Sequence, residues 1–179
     1  MIQVSKEISL KPIYLKDQGL LLEVIRKIYL PVYRHLWTDN GAFYFEKNYS
    51  VPNLTQELAE EGSDYYFIVF RTQFVGILRI QFEKECVDFP GKPATKLHRI
   101  YLDPEVHGLG IGQRLLDWTI EQSKARQSSL LWLEAMDTQK QSLQFYQKNN
   151  FHISGSFKLE VPNIIEKWQG MHRMFVGLL

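Results

Sequence analysis

The chain has 179 residues and 21.1 kDa, the length of one domain, and its 21 Lys and Arg against 20 Asp and Glu leave a formal charge of +1. That balance excludes bulk electrostatic recruitment of nucleic acid or an anionic membrane, and the single cysteine, Cys86, excludes an internal disulfide framework or a cysteine-built zinc site. A hydrophobic share of 45% supplies core material, no apolar run reaches the ~18 residues of a spanning helix, and the N-terminal residues lack a basic-then-apolar leader pattern.

The expectation is therefore one soluble, cytoplasmic domain over residues 1–179. Residues 8–13 read as a first strand. From Asp17, a helix-capping residue type, Leu20, Leu21, Val24, Ile25 and Ile28 recur at helical spacing, and Pro31 predicts an end or kink near Leu30. Residues 33–49 are rich in aromatics and are broken by Asp39-Asn40-Gly41. Asn53, Gln56 and Leu58 predict a short capped helix that closes at Gly62. Residues 65–70 and 74–82 are strand runs around Arg71-Thr72-Gln73, the spacing of a tight hairpin. A loop containing Pro90-Gly91-Lys92-Pro93 leads to a strand over 96–102, a glycine-rich turn and an amphipathic helix over about 110–126. A short apolar strand over 130–135, a helix over 139–149 and two strands over 151–160 and 168–177 complete the chain. A hairpin followed by strand–helix–strand–helix–strand argues for an α/β fold on a mixed, twisted sheet of about seven strands flanked by helices.

The segment with most chemical content runs from Leu102 to Leu116, where a strand ends, glycines fall at 108, 110 and 112, and a helix starts at once. Glycines let backbone N–H groups approach an anion, and a helix N-terminus adds unpaired N–H groups and a positive dipole end. Such a turn cradles a pyrophosphate or simply packs a helix closely on a sheet, and glycine counting alone does not separate the two. The spacing G-x-G-x-G departs from the dinucleotide fingerprint, although Glu134 lies 22 residues beyond Gly112, and no Gly-Lys-Ser/Thr follows to make a P-loop.

In Leu102, His107, Gly110 and Gly112 the segment resembles the first motif of the GNAT superfamily of N-acetyltransferases, with His107 in place of the usual Gln or Arg. Downstream, Phe145-Tyr146-Gln147-Lys148-Asn149-Asn150-Phe151 is similar to that family's F-Y-x-K-x-G-F, with Asn150 in place of glycine. The likeness spans most of residues 65–177. Within it, the chain looks closest to bacterial polyamine (spermidine/spermine) N-acetyltransferases of the PaiA type.

The resemblance implies acetyl-CoA as co-substrate, an amine acceptor and no metal. It implies that acetyl-CoA lies where parallel strands 96–102 and 130–135 splay apart. The backbone of Ile100, Tyr101 and Leu102 would then pair with the pantetheine arm, and N–H groups of His107, Gly108, Leu109, Gly110, Ile111 and Gly112 would hold the pyrophosphate. Gln139 and Lys148 would touch the cofactor's polar portions. Tyr146 would give a proton or hydrogen bond to the departing thiolate, because amine attack on a thioester expels a sulfur anion. His98 and Glu134 are the candidate bases by location. Simple alternation places His98 on the face of Ile100 and Leu102, opposite Tyr101.

A cationic acceptor has two sources of support in the residues. Acidic clusters occur at Glu57, Glu60, Glu61 and Asp64 and at Glu83, Glu85 and Asp88, and the aromatics Tyr29, Tyr33, Trp37 and Tyr44 could stack on an alkylammonium or form core. Residues 1–89 carry 10 Lys and Arg against 12 Asp and Glu, and residues 90–179 carry 11 against 8, so the near-neutral total could conceal an acidic amine site and a basic cofactor site. The apolar content of 161–179 allows a homodimer without requiring one.

Overall fold

In the central strands successive side chains feed two separate cores, one on each face of the sheet. The structure, a computed structural model, describes residues 1–178. In chain order the elements are β1 (Ile2–Gln3), β2 (Ile8–Pro12), α1 (Gln18–Tyr33), α2 (Ala42–Tyr49), α3 (Val51–Ala59), β3 (Ser63–Phe70) and β4 (Gln73–Gln81). They continue with β5 (Ala94–Leu102), α4 (Ile111–Ala125), β6 (Leu130–Met136), α5 (Lys140–Lys148), β7 (His152–Lys158) and β8 (Gly170–Gly177). The strands form one sheet in the order β1-β2-β3-β4-β5-β6-β8-β7. Every neighbouring pair is antiparallel except β5 and β6. The mixed α/β architecture is the expected one, with eight strands rather than about seven. The additional strand is the two-residue β1, paired on Ser9 and Leu10 and too short to leave an alternation pattern.

On one face Leu78, Ile80, Leu97, Leu115, Leu116 and Leu131 pack beneath α4 and α5. On the other, Ile25, Leu54, Phe67 and Ile77 pack beneath α1–α3, joined by Tyr29, Trp37, Phe45 and Tyr49. The aromatic segment is therefore largely core, with α2 inside it. No helix among the described residues is long and apolar enough to cross a membrane.

Several local expectations need correction. Pro31 does not end α1, which continues to Tyr33 before a 3-10 turn over Arg34–Leu36. The proline falls near the helix end, where losing one backbone bond is cheap. The Asp17 carboxylate does not cap α1; it accepts from the Tyr14 amide of the preceding turn. The helix expected from Asn53 starts at Val51, and Asn53 instead donates to the Asn48 carbonyl. The β3–β4 turn has two residues, because Phe70 pairs with Gln73 and Arg71 takes φ +57°.

Two irregularities shape the middle of the sheet. Along β4 and β5, Arg79 faces Arg99 and Ile80 faces Leu97, so His98 is a bulge residue with no partner of its own. The parallel pairing of β5 with β6 stops at Lys96 and Trp132, immediately before that bulge. Beyond this point the two strands diverge and a cleft opens between them.

Candidate active site

The cleft begins at the glycine loop. Asp103 accepts from the Glu105 amide and pairs with Lys27 at 2.7 Å, which fixes the exit from β5. Gly108 has φ +80° and Gly110 φ +75°, and a Cβ on either would project into open space, so both positions are glycine for backbone conformation. The His107 and Leu109 amides bond within the loop, to the Pro104 and Val106 carbonyls. The N–H groups left for an anion are therefore those of Gly108, Gly110 and the first turn of α4. A cavity of about 440 Å³ runs along the loop, bordered by β5, α1 and α5.

Of the residues expected at the cofactor, Ile100, Tyr101, Leu102, His107, Gly108, Gly110, Ile111, Gly112 and Gln139 line this cavity. Leu109, 57% exposed, and the exposed Lys148 lie outside its lining. Ile28, Val32 and Tyr33 of α1 and Ser142 and Phe145 of α5 also border it, and sequence reasoning missed them. Ile28 was legible as an apolar helix position, but no periodicity reveals that α1 lies across the end of β5.

A second cavity, of about 160 Å³, lies on the α1–α3 side of the diverging strands. Its walls include Tyr29, Trp37 and Tyr44, together with His98, Arg99 and Glu134. The two cavities share Tyr33, Ile100, Tyr101, Gln139, Ser142 and Tyr146, so they meet at Tyr146. The Tyr146 ring packs against Phe145 and Phe151, and its hydroxyl has no hydrogen-bond partner among the described residues. Burial, reinforced by Tyr101, holds this phenol well above its ordinary range, so it remains protonated at neutral pH. Asn150, two residues past the end of α5, takes φ +63°, the left-handed conformation that glycine usually supplies there.

The bulge changes the reading of His98. It points to the side of Arg99 and Tyr101, away from Ile100 and Leu102, because the bulge places two successive residues on one face. There its Nδ1 lies 2.7 Å from Nη1 of Arg79. Burial and the charges of Arg99, Arg79, Lys96 and Lys84 hold the imidazole far below its ordinary pKa, so it is neutral. Glu134 is held by Lys96 through Oε2 at 2.7 Å, and Lys96 lies over the Trp132 ring. No partner among the described residues bonds Oε1 of Glu134.

Most carboxylates of the two acidic clusters are engaged within the fold. Glu57 bridges Arg79 at 3.0 Å and Arg99 at 2.7 Å, and both guanidinium groups are nearly buried. Glu60 takes Arg79, Gln81 and Lys84. Asp64 approaches Arg126, Asp88 pairs with Arg173, and Glu85 accepts from the Gly91 amide. The charge difference between the halves thus dissolves into local pairs. Buried arginines need such partners, and strand alternation gave no sign that Arg79 and Arg99 point inward.

The model of the acetyltransferase (GNAT) family matches residues 22–151. An N-acetyltransferase encoded in the pepI 3′ region of Lactobacillus delbrueckii subsp. lactis is 25% identical over 108 residues, which is 60% of this chain and 62% of that protein's length. Among solved structures, the PaiA N-acetyltransferase of Thermoplasma acidophilum in complex with coenzyme A superposes with a TM-score of 0.69 at 18% identity, covering 95% of this chain and 98% of that one. A variant of the spermidine N-acetyltransferase SpeG of Vibrio cholerae gives 0.66 at 14% identity, covering 97% and 95%. The ribosomal-protein-alanine N-acetyltransferase of Escherichia coli gives 0.67 at 14%, covering 96% and 94%. At these identities the structural likeness speaks to the fold.

Proposed function

The chain belongs to the acetyltransferase (GNAT) family, and from that premise we propose that it transfers an acetyl group from acetyl-CoA to a primary amine of a small molecule, by direct attack within a ternary complex. The observation that carries this reading is the meeting of two cavities at the unpartnered Tyr146 hydroxyl. Acetyl-CoA fits the larger one. Free N–H groups at Gly108, Gly110 and the start of α4 suit its pyrophosphate, and the unpaired edge of β5 beyond Lys96 suits its pantetheine amides. When bound, it supplies an activated thioester carbonyl.

The chain's own groups then divide the proton work. The new bond is between the amine nitrogen and the acetyl carbon, and the bond that breaks joins that carbon to sulfur. Glu134 is the only carboxylate among the described residues that borders the smaller cavity, so its Oε1 is the group suited to hold the ammonium and take its proton. Tyr146, kept protonated by burial, is suited to give a proton to the departing sulfur.

A polyamine is the acceptor that the sequence resemblance puts first, and the Vibrio cholerae relative is by name a spermidine N-acetyltransferase. Glu134 supports one ammonium end. Glu57, Glu60 and Asp64, candidates for a second, are paired elsewhere. The deciding experiment is free-thiol release from acetyl-CoA across a panel of polyamines, simple amines and peptides. Amine-dependent thiol release supports the reading; acetyl-CoA binding with no turnover on any member refutes it in favour of a non-catalytic sensor.

A further inference from the structure

The contact between Arg79 and His98 has a chemical direction. A guanidinium has donors only, so Nδ1 of His98 must be the acceptor and carries no proton. A neutral imidazole then has its proton on Nε2, and that nitrogen has no partner among the described residues in a side chain that borders the smaller cavity. Arg79 cannot swing away. Its side chain is 3% exposed and is also tied to Glu57, Glu60 and Ser63.

We infer that Arg79 locks His98 as a fixed Nε2–H donor facing the acceptor, and that His98 selects amines carrying a carbonyl or carboxylate oxygen close to the nitrogen. The inference rests on the transfer reading for its substrate half only. Besides neutral tyrosine, tryptophan, glutamine and serine groups, the cavity wall carries Glu134, which accepts, and His98 and Arg99, which donate. A plain alkylamine or polyamine presents only N–H groups and positive charge, which satisfies Glu134 and leaves the imidazole N–H unpaired. A compact molecule with an amine and a neighbouring carbonyl satisfies both. A donor that a bound acceptor covers without pairing costs binding energy, and this is how polar sites reject analogues lacking one oxygen.

A base role for His98 is disfavoured by the same geometry. Its one lone pair is committed to Arg79, and a second proton would place an imidazolium 2.7 Å from a guanidinium. Around it stand Arg79 on β4, Lys84 beyond that strand, Lys96 and Arg99 on β5, Glu57 on α3 and Glu134 on β6. Glu57 is already bonded to Arg79 and Arg99, and Glu134 to Lys96.

Two measurements test this. In the 15N-histidine-labelled protein, the two-bond nitrogen–proton spectrum should show His98 with Nε2 protonated and Nδ1 bare, unchanged between about pH 8 and pH 5, where an ordinary histidine titrates. An Nδ1–H tautomer, or a titration in that range, overturns the lock. For selectivity, kcat/KM is measured for glycinamide, propylamine and spermidine. The wild type should prefer glycinamide. His98→Asn keeps an acceptor for Arg79 but loses the Nε2 donor, and should lower the glycinamide-to-propylamine ratio roughly tenfold, mainly through KM. His98→Gln, which can put an N–H near the Nε2 position, should recover part of it. A wild-type preference for spermidine, or an unchanged ratio in His98→Asn, overturns the acceptor class. A locked tautomer in a protein that acetylates none of the three overturns the transfer reading and the acceptor class with it, but not the lock.

Discussion

Replacing Tyr146 by Phe removes one oxygen from the junction of the two cavities and leaves the ring packing against Phe145 and Phe151 in place. The hydroxyl has no partner among the described residues, so no hydrogen bond to them is broken and folding stability should change by less than about 0.5 kcal/mol. Catalysis should respond very differently. A positioned general acid contributes about 10²- to 10⁴-fold, or about 3–5 kcal/mol of barrier. Thiol release at saturating amine and acetyl-CoA reads kcat directly, and a thermal melt reads stability. The expected result is a kcat lower by at least about a hundredfold with an unchanged melt and unchanged acetyl-CoA affinity. The buried phenol stays protonated beyond neutral pH, so wild-type activity should show no alkaline loss from this group below its ordinary value of about 10. A Phe variant within about threefold of wild type would refute the assignment, since a general acid contributes far more than that.

Three further outcomes follow from the geometry around the site. Gly76 pairs with Leu102, and a Cβ there would collide with the Tyr101 carbonyl and approach Ile68, so Gly76→Ala should cost about 1–3 kcal/mol in a denaturant melt and raise the acetyl-CoA KM. Glu57→Gln leaves the nearly buried Arg99 without a carboxylate partner among the described residues and Arg79 with Glu60 alone, and should cost about 3 kcal/mol, lowering Tm by roughly 10 °C in calorimetry. Burial raises the Asp103 pKa, but Lys27 and the Glu105 amide outweigh it and hold the carboxyl below its ordinary value. A depressed folded pKa contributes stability above the unfolded value of about 3.9 and loses it as pH falls through the folded one. Asp103→Asn should therefore melt below wild type at pH 7, and the gap should close in acid; a gap that widens below about pH 4 contradicts the pairing.

Legibility in the sequence divides along physical lines. The glycine loop, the strand that feeds it and the Phe145-Tyr146 helix were readable because each depends on local backbone demands: left-handed φ at Gly108, Gly110 and Asn150, and helical spacing after Ile111. The acidic residues at 57–64 were legible as a cluster, but partners such as Arg79 on β4, Arg99 on β5 and Arg126 at the end of α4 lie far along the chain, and no local pattern reports such pairing. His98 was located on the right strand and assigned the wrong face, because alternation assumes an unbroken ladder. Tyr33 and Val32 at the cofactor cleft depend on how α1 crosses the sheet, which is a tertiary property.

The bulge in β5 can be restated as arithmetic. Taking out His98 alone would leave Ile80 opposite Leu97 and Arg79 opposite Arg99 in one continuous ladder, with every remaining side chain on its present face. The strand therefore contains one residue more than the sheet needs. Without it nothing would bend β5 at Lys96, and its hydrogen-bonding edge could continue along β6 past Trp132. A length change of one residue would then convert an open sheet into a sealed one while both apolar cores kept their present membership. The cavity in which two substrates can meet is, in that sense, the room made by a single surplus amino acid.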